Sequence, residues 1–536
     1  MIGGDCGCSK TCQTTTEALM SQSPPPGNDV LHAARDLRCR MLADPHRPGF
    51  HFAFPEDDGR PGDPNGAFYA NGRYHLMYLY NHADLGFVWG HVSSTDLLHW
   101  RHHPYAIGPG DGDVGCFSGG AFVDRKGRAI LSYWGLWEER GICLAFSDDE
   151  HFDNWTKSEA NPVIASTDRG LTETTDENGD CLVIGSSDPS QIWQKDGRYY
   201  LLTGNLQVLN KMGRGDDAPP EQQGDRLYLF VSDDLESWDY LHPFYESRRD
   251  WTDRSEDDMC PSFLPLPSRE SGGPASDKHL LLFISHNKGC QYYVGTYDIE
   301  DDRFLPEQHG RMTWCDNAYF APESLLDGKG RHIMWAWIFD DRPEEVWRAS
   351  GWNGMYGLPR SLWLGEDGTL HMAPVKELKQ LRQRRRTKRD LVVPADEELE
   401  LKGFGKELLE LEIVMDTGSA TRCGVKVCCT DDGSEETVFC YDAGLKQLQC
   451  DTTRSSLGFG RKVMEAGPLT LADGERLHLR VFVDRSIVEV YANERQAVAR
   501  AIYPTLGGRG VRLFAGGGDV SVEVVNAWEL MPSNPY

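Results

Sequence analysis

The residues with the clearest chemical potential are carboxylates placed beside proline. Asp63-Pro64 and Asp188-Pro189 are two such pairs, and Glu256-Asp257-Asp258 leads into Met259-Cys260-Pro261. A carboxylate can act as nucleophile, acid or base, and two of them in different surroundings can divide these roles within one reaction. One Asp-Pro alone reads as a turn with a capping aspartate. The shared register says more. Asp63, Ser118, Asp188 and Ala321 each stand nine residues before the glycine of a Gly-Arg pair: Gly72, Gly127, Gly197 and Gly330. Cys260 takes the same place in a further copy. Equivalent positions in a repeat converge in space, so these carboxylates are expected at one point.

The elements that must position them are hairpins. AFYANGRYHLMYLY, AFVDRKGRAILSYW, QIWQKDGRYYLLTG and LLDGKGRHIMWAWI each read as strand, glycine turn, strand. SFLPL and KHLLLFIS form a fifth copy with a longer turn. A further strand ending in an Asp-bearing polar turn follows, as in GHVSSTDLLHW, LAFSDDEHFDNW, LFVSDDLESW and VGTYDIEDDRF. Four strands repeated five times, with almost no amphipathic helix between residues 50 and 340, predict a five-bladed β-propeller whose innermost strands line an axial channel. From about residue 390, short alternating strands with frequent turns predict a β-sandwich. The expected division of this all-β chain is a tail and short helix over 1–45, the propeller over 46–375, a basic helical linker over 376–390 and the sandwich over 391–536. Arg485 and Glu489 read as a cross-strand surface pair.

The length of 536 residues exceeds what one core usually organises, which also favours two domains. The 56 aromatic residues (15 Trp, 20 Tyr, 21 Phe) suit β-rich structure and flat or sugar-like ligands. A net charge of −28 argues against nucleic acid and anionic membranes as partners. The one basic run, Arg382 to Arg389, reads as a solvated helix end or linker. Fifteen scattered cysteines do not make a disulfide framework, and Cys6, Cys8 and Cys12 fall in an expected disordered tail. The first twenty residues lack the apolar run of a signal peptide, and no stretch approaches a membrane span. A cytoplasmic protein is expected, or a secreted one if the natural start differs.

These motifs resemble glycoside hydrolase family 32, the invertases, fructanases and related fructosyl enzymes. RPGDPNG stands where that family has W-M-N-D-P-N-G, WGHVSSTDLLHW matches W-G-H-x-x-S-x-D-L-x-x-W, and CFSGGA matches F-S-G. GSSDPSQIW stands at R-D-P, and VFVDRSIVEVYAN is similar to the family's C-terminal signature. The resemblance implies a retaining enzyme that cleaves terminal β-D-fructofuranosyl linkages of sucrose, fructo-oligosaccharides, inulin or levan, without metal or cofactor. Asp63 would be the nucleophile and Asp188 the transition-state stabiliser. Asn65, Trp89, Phe117, Ser118, Ser187 and Trp314 would meet the sugar. Three departures stand out. Ser187 replaces an arginine, Arg60-Pro61-Gly62 replaces Trp-Met-Asn, and Met259 replaces the glutamate of E-C-P, the family's acid/base. Glu256 is the expected substitute, with Asp257 and Asp258 as alternatives. A fructosyltransferase with the same site, or a fructan-binding propeller without activity, is the rival reading. The oligomeric state is left open.

Overall fold

Asn-Gly and Asp-Gly close the tightest repeated hairpins. Asn71 and Gly72 take φ of +50° and +74°, and Asp196 and Gly197 take +51° and +85°. Two successive left-handed residues give the turn whose twist matches that of paired strands. The computed structural model describes residues 29–534, apart from 58, 113, 137–140, 168–169, 177 and 207–222. The N-terminal cysteine cluster lies outside the described residues. A helix, Asp29–Ala43, leads into the propeller.

Five antiparallel sheets follow, each built on a path of four strands. Their first strands are Arg60–Ala70, Cys116–Val123, Ser187–Pro189, Met259–Pro267 and Tyr319–Leu326. Each first strand packs against the first strands of its two neighbours, and the fifth returns to the first, so the ring closes. Apolar clusters fill the spaces between adjacent blades. Two six-stranded sheets form the C-terminal sandwich around a second core.

The basic run is a strand rather than a helical linker. Lys376–Leu381 is a short 3-10 helix, and Arg382–Val393 pairs antiparallel with Val520–Leu530. The edge of Val520–Leu530 pairs with it on both sides of a bulge between Gln383 and Arg386, Glu410 binds the Arg382 guanidinium at 2.6 and 2.7 Å, and that guanidinium stacks on Trp528. Tertiary partners have overridden the local charge pattern.

The signature VFVDRSIVEVYAN fastens the two domains. Asp484 accepts the backbone N–H groups of Gly49, Phe50 and His51 at 2.6, 2.9 and 2.8 Å. The His51 ring lies between Asp484 (2.8 Å) and Glu489 (3.3 Å). Glu489 also takes Arg360, Tyr491 and the N–H of Leu358. It is therefore a buried junction residue, not half of a surface pair with Arg485, which reaches the Arg47 carbonyl instead. Burial opposes the charge on His51, but the two carboxylates outweigh it and raise its pKa to about 9. No described helix is long and apolar enough to cross a membrane.

Candidate active site

The first strand of every blade carries one extra residue at its axial end. The ladder slips between Pro61 and Pro64, Cys116 and Gly119, Ser187 and Pro189, Met259 and Ser262, and Phe320 and Glu323. Such a bulge twists the strand and re-aims the residue within it. Those residues are Asp63, Ser118, Asp188, Cys260 and Ala321. Asp188, Cys260 and Ala321 take φ of +26°, +50° and +46°. Proline follows four of the five, where a missing N–H breaks no ladder bond. Glycine follows Ser118, and a Cβ there would stand 1.9 Å from the Ser132 carbonyl.

The bulges bring two carboxylates together. The Ser118 hydroxyl donates to Asp63 Oδ2 at 2.5 Å. The Cys260 thiol lies 3.5 Å from Asp63 Oδ2 and 3.5 Å from Asp188 Oδ2, so the two acids meet at one sulfur. Burial raises the pKa of Asp63, against the bonds from Ser118 and Cys260. Burial and then the charge of Asp63 push Asp188 up to about 7. The Cys260 thiol is raised well above its ordinary value by burial and by both acids, so it stays protonated and donates. Asn65 is buried; its Oδ1 accepts from Gly119 N–H at 3.3 Å, and its Nδ2 has no partner among the described residues.

Aromatic side chains stand beside the axial positions. Phe117, just before Ser118, is partly exposed and meets Phe87 and Trp134. Phe320, just before Ala321, meets the partly exposed Phe339 and Trp337. Such faces suit the apolar side of a sugar ring. Phe87, Trp134, Phe320, Trp337 and Phe339 were not singled out from the sequence, although Phe320 shares the register of Phe117.

Several expected contacts lie elsewhere. Trp89 is fully buried between the first two blades, and its indole N–H donates to the Phe117 carbonyl at 3.1 Å. Ser187 is also fully buried, with its hydroxyl on the Gly204 carbonyl and the Met259 sulfur. Both are wall residues, because the bulge aims the residue after Ser187, not Ser187 itself. Trp314 is held by the sandwich: its N–H meets Glu465 at 2.7 Å and its indole meets Gln496 at 3.4 Å.

The acidic segment is the largest correction. Arg311 clamps both oxygens of Glu256 at 2.9 Å, and Gln291 adds a bond at 2.8 Å. The Glu256 side chain is 3% exposed, and both of its oxygens are engaged by these two partners. Asp258 is buried against the Tyr245 hydroxyl at 2.6 Å, and burial holds its carboxyl well above the usual range. Both Asp257 oxygens go to His286: Oδ1 to the backbone N–H at 2.8 Å and Oδ2 to ring Nδ1 at 2.5 Å. Sequence reasoning did not find His286. Its signal is the strand pairing, since Met259 pairs with Ile284, and the same line carried two residues past both strands reaches Asp257 and His286.

A closed five-bladed ring that brings two acids together at one end of its axis, joined to a sandwich, has the paired carboxylates that glycosidases use. The sequence models of the Glycosyl hydrolases family 32 N-terminal domain and C-terminal domain match residues 54–374 and 377–529, and the chain belongs to that family. It is 25% identical to a fructan 6-exohydrolase of Beta vulgaris, with 91% of this chain and 87% of that protein covered. It is 28% identical to an insoluble β-fructofuranosidase isoenzyme of Oryza sativa subsp. japonica, covering 90% and 88%. Among solved structures, fructan 1-exohydrolase IIa from Cichorium intybus superposes with a TM-score of 0.77 at 22% identity, covering 92% of this chain and 98% of that one.

Proposed function

We propose that this protein hydrolyses terminal β-D-fructofuranosyl linkages by double displacement, with Asp63 as nucleophile and Asp188 as stabiliser. The observation that carries this reading is the meeting of Asp63 and Asp188 at the Cys260 thiol. The names of its relatives, fructan exohydrolases and β-fructofuranosidases, support the choice of sugar.

Asp63 attacks C2 of the fructosyl unit as the bond to the leaving sugar breaks and the leaving oxygen takes a proton from the site's acid, giving a fructosyl ester and a free alcohol. Water then attacks C2, giving its proton back to that group as the bond to Asp63 breaks, and fructose leaves with overall retention. Ser118 and Cys260 fix Asp63 by donating to Oδ2, which leaves Oδ1 to attack. Asp188 accepts ring hydroxyls through bonds that tighten as positive charge builds on the ring. Phe117 and Phe320 border the ring and exclude water from its apolar face.

The test is fructose release from sucrose, 1-kestose, inulin and levan. The wild type is expected to act on at least one of them. Asp63→Asn is expected to lose about a thousandfold or more in kcat while still binding, as removal of a covalent nucleophile does. A wild type that is inert on all four overturns the reading.

A further inference from the structure

The acid of this reaction is missing from its expected place. Met259 carries no proton, and the three carboxylates before it are buried: the side chains of Glu256, Asp257 and Asp258 are 3% exposed or less. Glu256 and Asp258 are committed to Arg311 and Tyr245. Cleavage still requires a proton for the leaving oxygen.

His286 is placed to supply it. It begins the turn between two strands of the fourth blade, directly after Ser285. Continuing the Met259–Ile284 pairing by two residues sets Asp257 opposite His286, on the face that Met259 occupies. Asp257 anchors the histidine through its backbone N–H and through Nδ1. The side chain is 30% exposed, and Nε2 has no partner among the described residues. Phe320, next to the axial position of the fifth blade, packs edge-on against the ring at 5.5 Å. Asn317 holds the His286 carbonyl at 2.9 Å, and Arg461 of the sandwich steadies Asn317 at 3.0 Å.

We propose that His286 is the proton donor and acceptor of this active site, with Asp257 as its positioning residue; the proposal rests on the fructosyl-hydrolase reading. In the first step Nε2–H of the imidazolium gives its proton to the leaving oxygen while Asp63 takes C2, and the ring becomes neutral. In the second, neutral Nε2 takes a proton from the water whose oxygen attacks C2, and Asp63 leaves as carboxylate. The proton returns to His286 and the cycle closes. Asp257 fixes the tautomer with hydrogen on Nδ1, so that Nε2 is the working nitrogen.

The charged groups that act on His286 are Asp257, Asp188 and Asp63. Burial disfavours its charge, but the bond to Asp257 and the fields of the three acids outweigh burial and raise its pKa above the ordinary value. That balance favours the imidazolium, the form a proton donor needs.

The experiment compares wild type, His286→Ala, His286→Asn and Asp257→Asn on sucrose or 1-kestose and on β-D-fructofuranosyl fluoride. Fluoride departs without a proton, so the two substrates separate acid catalysis from folding and nucleophile effects. Both His286 variants are expected to lose about 10²–10⁴-fold in kcat/KM on the sugars and less than about tenfold on the fluoride. Azide should speed turnover of His286→Ala and yield a fructosyl azide, because azide needs no base. The basic limb of the wild-type pH profile should lie above about 6.5, the ordinary histidine value. In Asp257→Asn that limb should move to lower pH, which a purely structural role would not produce. Full sugar activity in His286→Ala, or equal losses on sugar and fluoride, overturns the proposal and leaves the hydrolase reading intact. A wild type inert on every fructoside overturns the hydrolase reading, and this proposal with it.

Discussion

Asp188→Asn should make the protein more stable while disabling it. Asn has nearly the shape of Asp and tolerates the left-handed backbone that Asp188 adopts, so neither packing nor strain should change. What changes is a buried charge. An aspartate titrates near 3.9 in an unfolded chain, and Asp188 titrates at about 7 in the fold. The raised value means that the fold favours the protonated form. Its contribution is fully present below pH 4 and is lost as pH rises through 7. The shift of about three units corresponds to about 4 kcal/mol at about 1.4 kcal/mol per unit. At pH 4 the variant and wild type should therefore match, and at pH 8 the variant should be ahead by about 4 kcal/mol. For a cooperative unit of this size that is about 4–6 °C in Tm, from about 2.1 cal/mol/K of unfolding entropy per residue. Scanning calorimetry from pH 4.5 to 8.5 reads the gap, and fructose release reads the expected loss in kcat of about 10²–10³-fold. The charge of Asp63 is the second cause of the shift, so Asp63→Asn should narrow the gap. Equal melting curves at every pH, or a variant less stable at pH 8, would refute the reasoning.

Two further perturbations separate structural charges from chemical ones. Glu256→Ala leaves the half-buried Arg311 without its partner and should cost about 1–3 kcal/mol with less than about a tenfold change in kcat; urea titration beside steady-state kinetics checks both, and a kcat loss above about a hundredfold would return Glu256 to the reaction. His51 has a folded pKa of about 9 against about 6.5 unfolded, so its contribution of roughly 3 kcal/mol is complete below pH 6.5 and lost as pH rises through 9. His51→Gln should abolish that part of the slope in urea midpoints taken at pH 6.5 and pH 9.5, and an unchanged slope would place the titrating group elsewhere.

Features with a local cause were legible in the sequence. The glycine turns announce the hairpins because few residues accept successive left-handed positions, and alternation announces the sandwich strands. Counting back from each glycine also located Asp63 and Asp188, because the blades share one bulge at one place. Features set by distant partners were not legible. Nothing near Glu256 signals that Arg311 will cover it. Asp257 and His286 meet only because two strands pair in one register. Ser187 and Asp188 are neighbours in sequence, yet the bulge turns one inward to the wall and the other to the chamber. The basic strand follows the same rule: its charges suggested solvent, whereas its conformation comes from the edge of Val520–Leu530.

The five bulges have a consequence for how such a site can change over time. Each aims one side chain at the axis while the neighbouring residues of its strand remain in the core. The residue at the tip can therefore be exchanged without repacking the blade behind it. Aspartate, serine, aspartate, cysteine and alanine now occupy five geometrically matched seats. A duty vacated beside a seat, as at Met259 next to Cys260, can be taken up from an adjacent loop while the scaffold stays as it was. The ring works as a holder with interchangeable tips, and new chemistry can be tried in it one blade at a time.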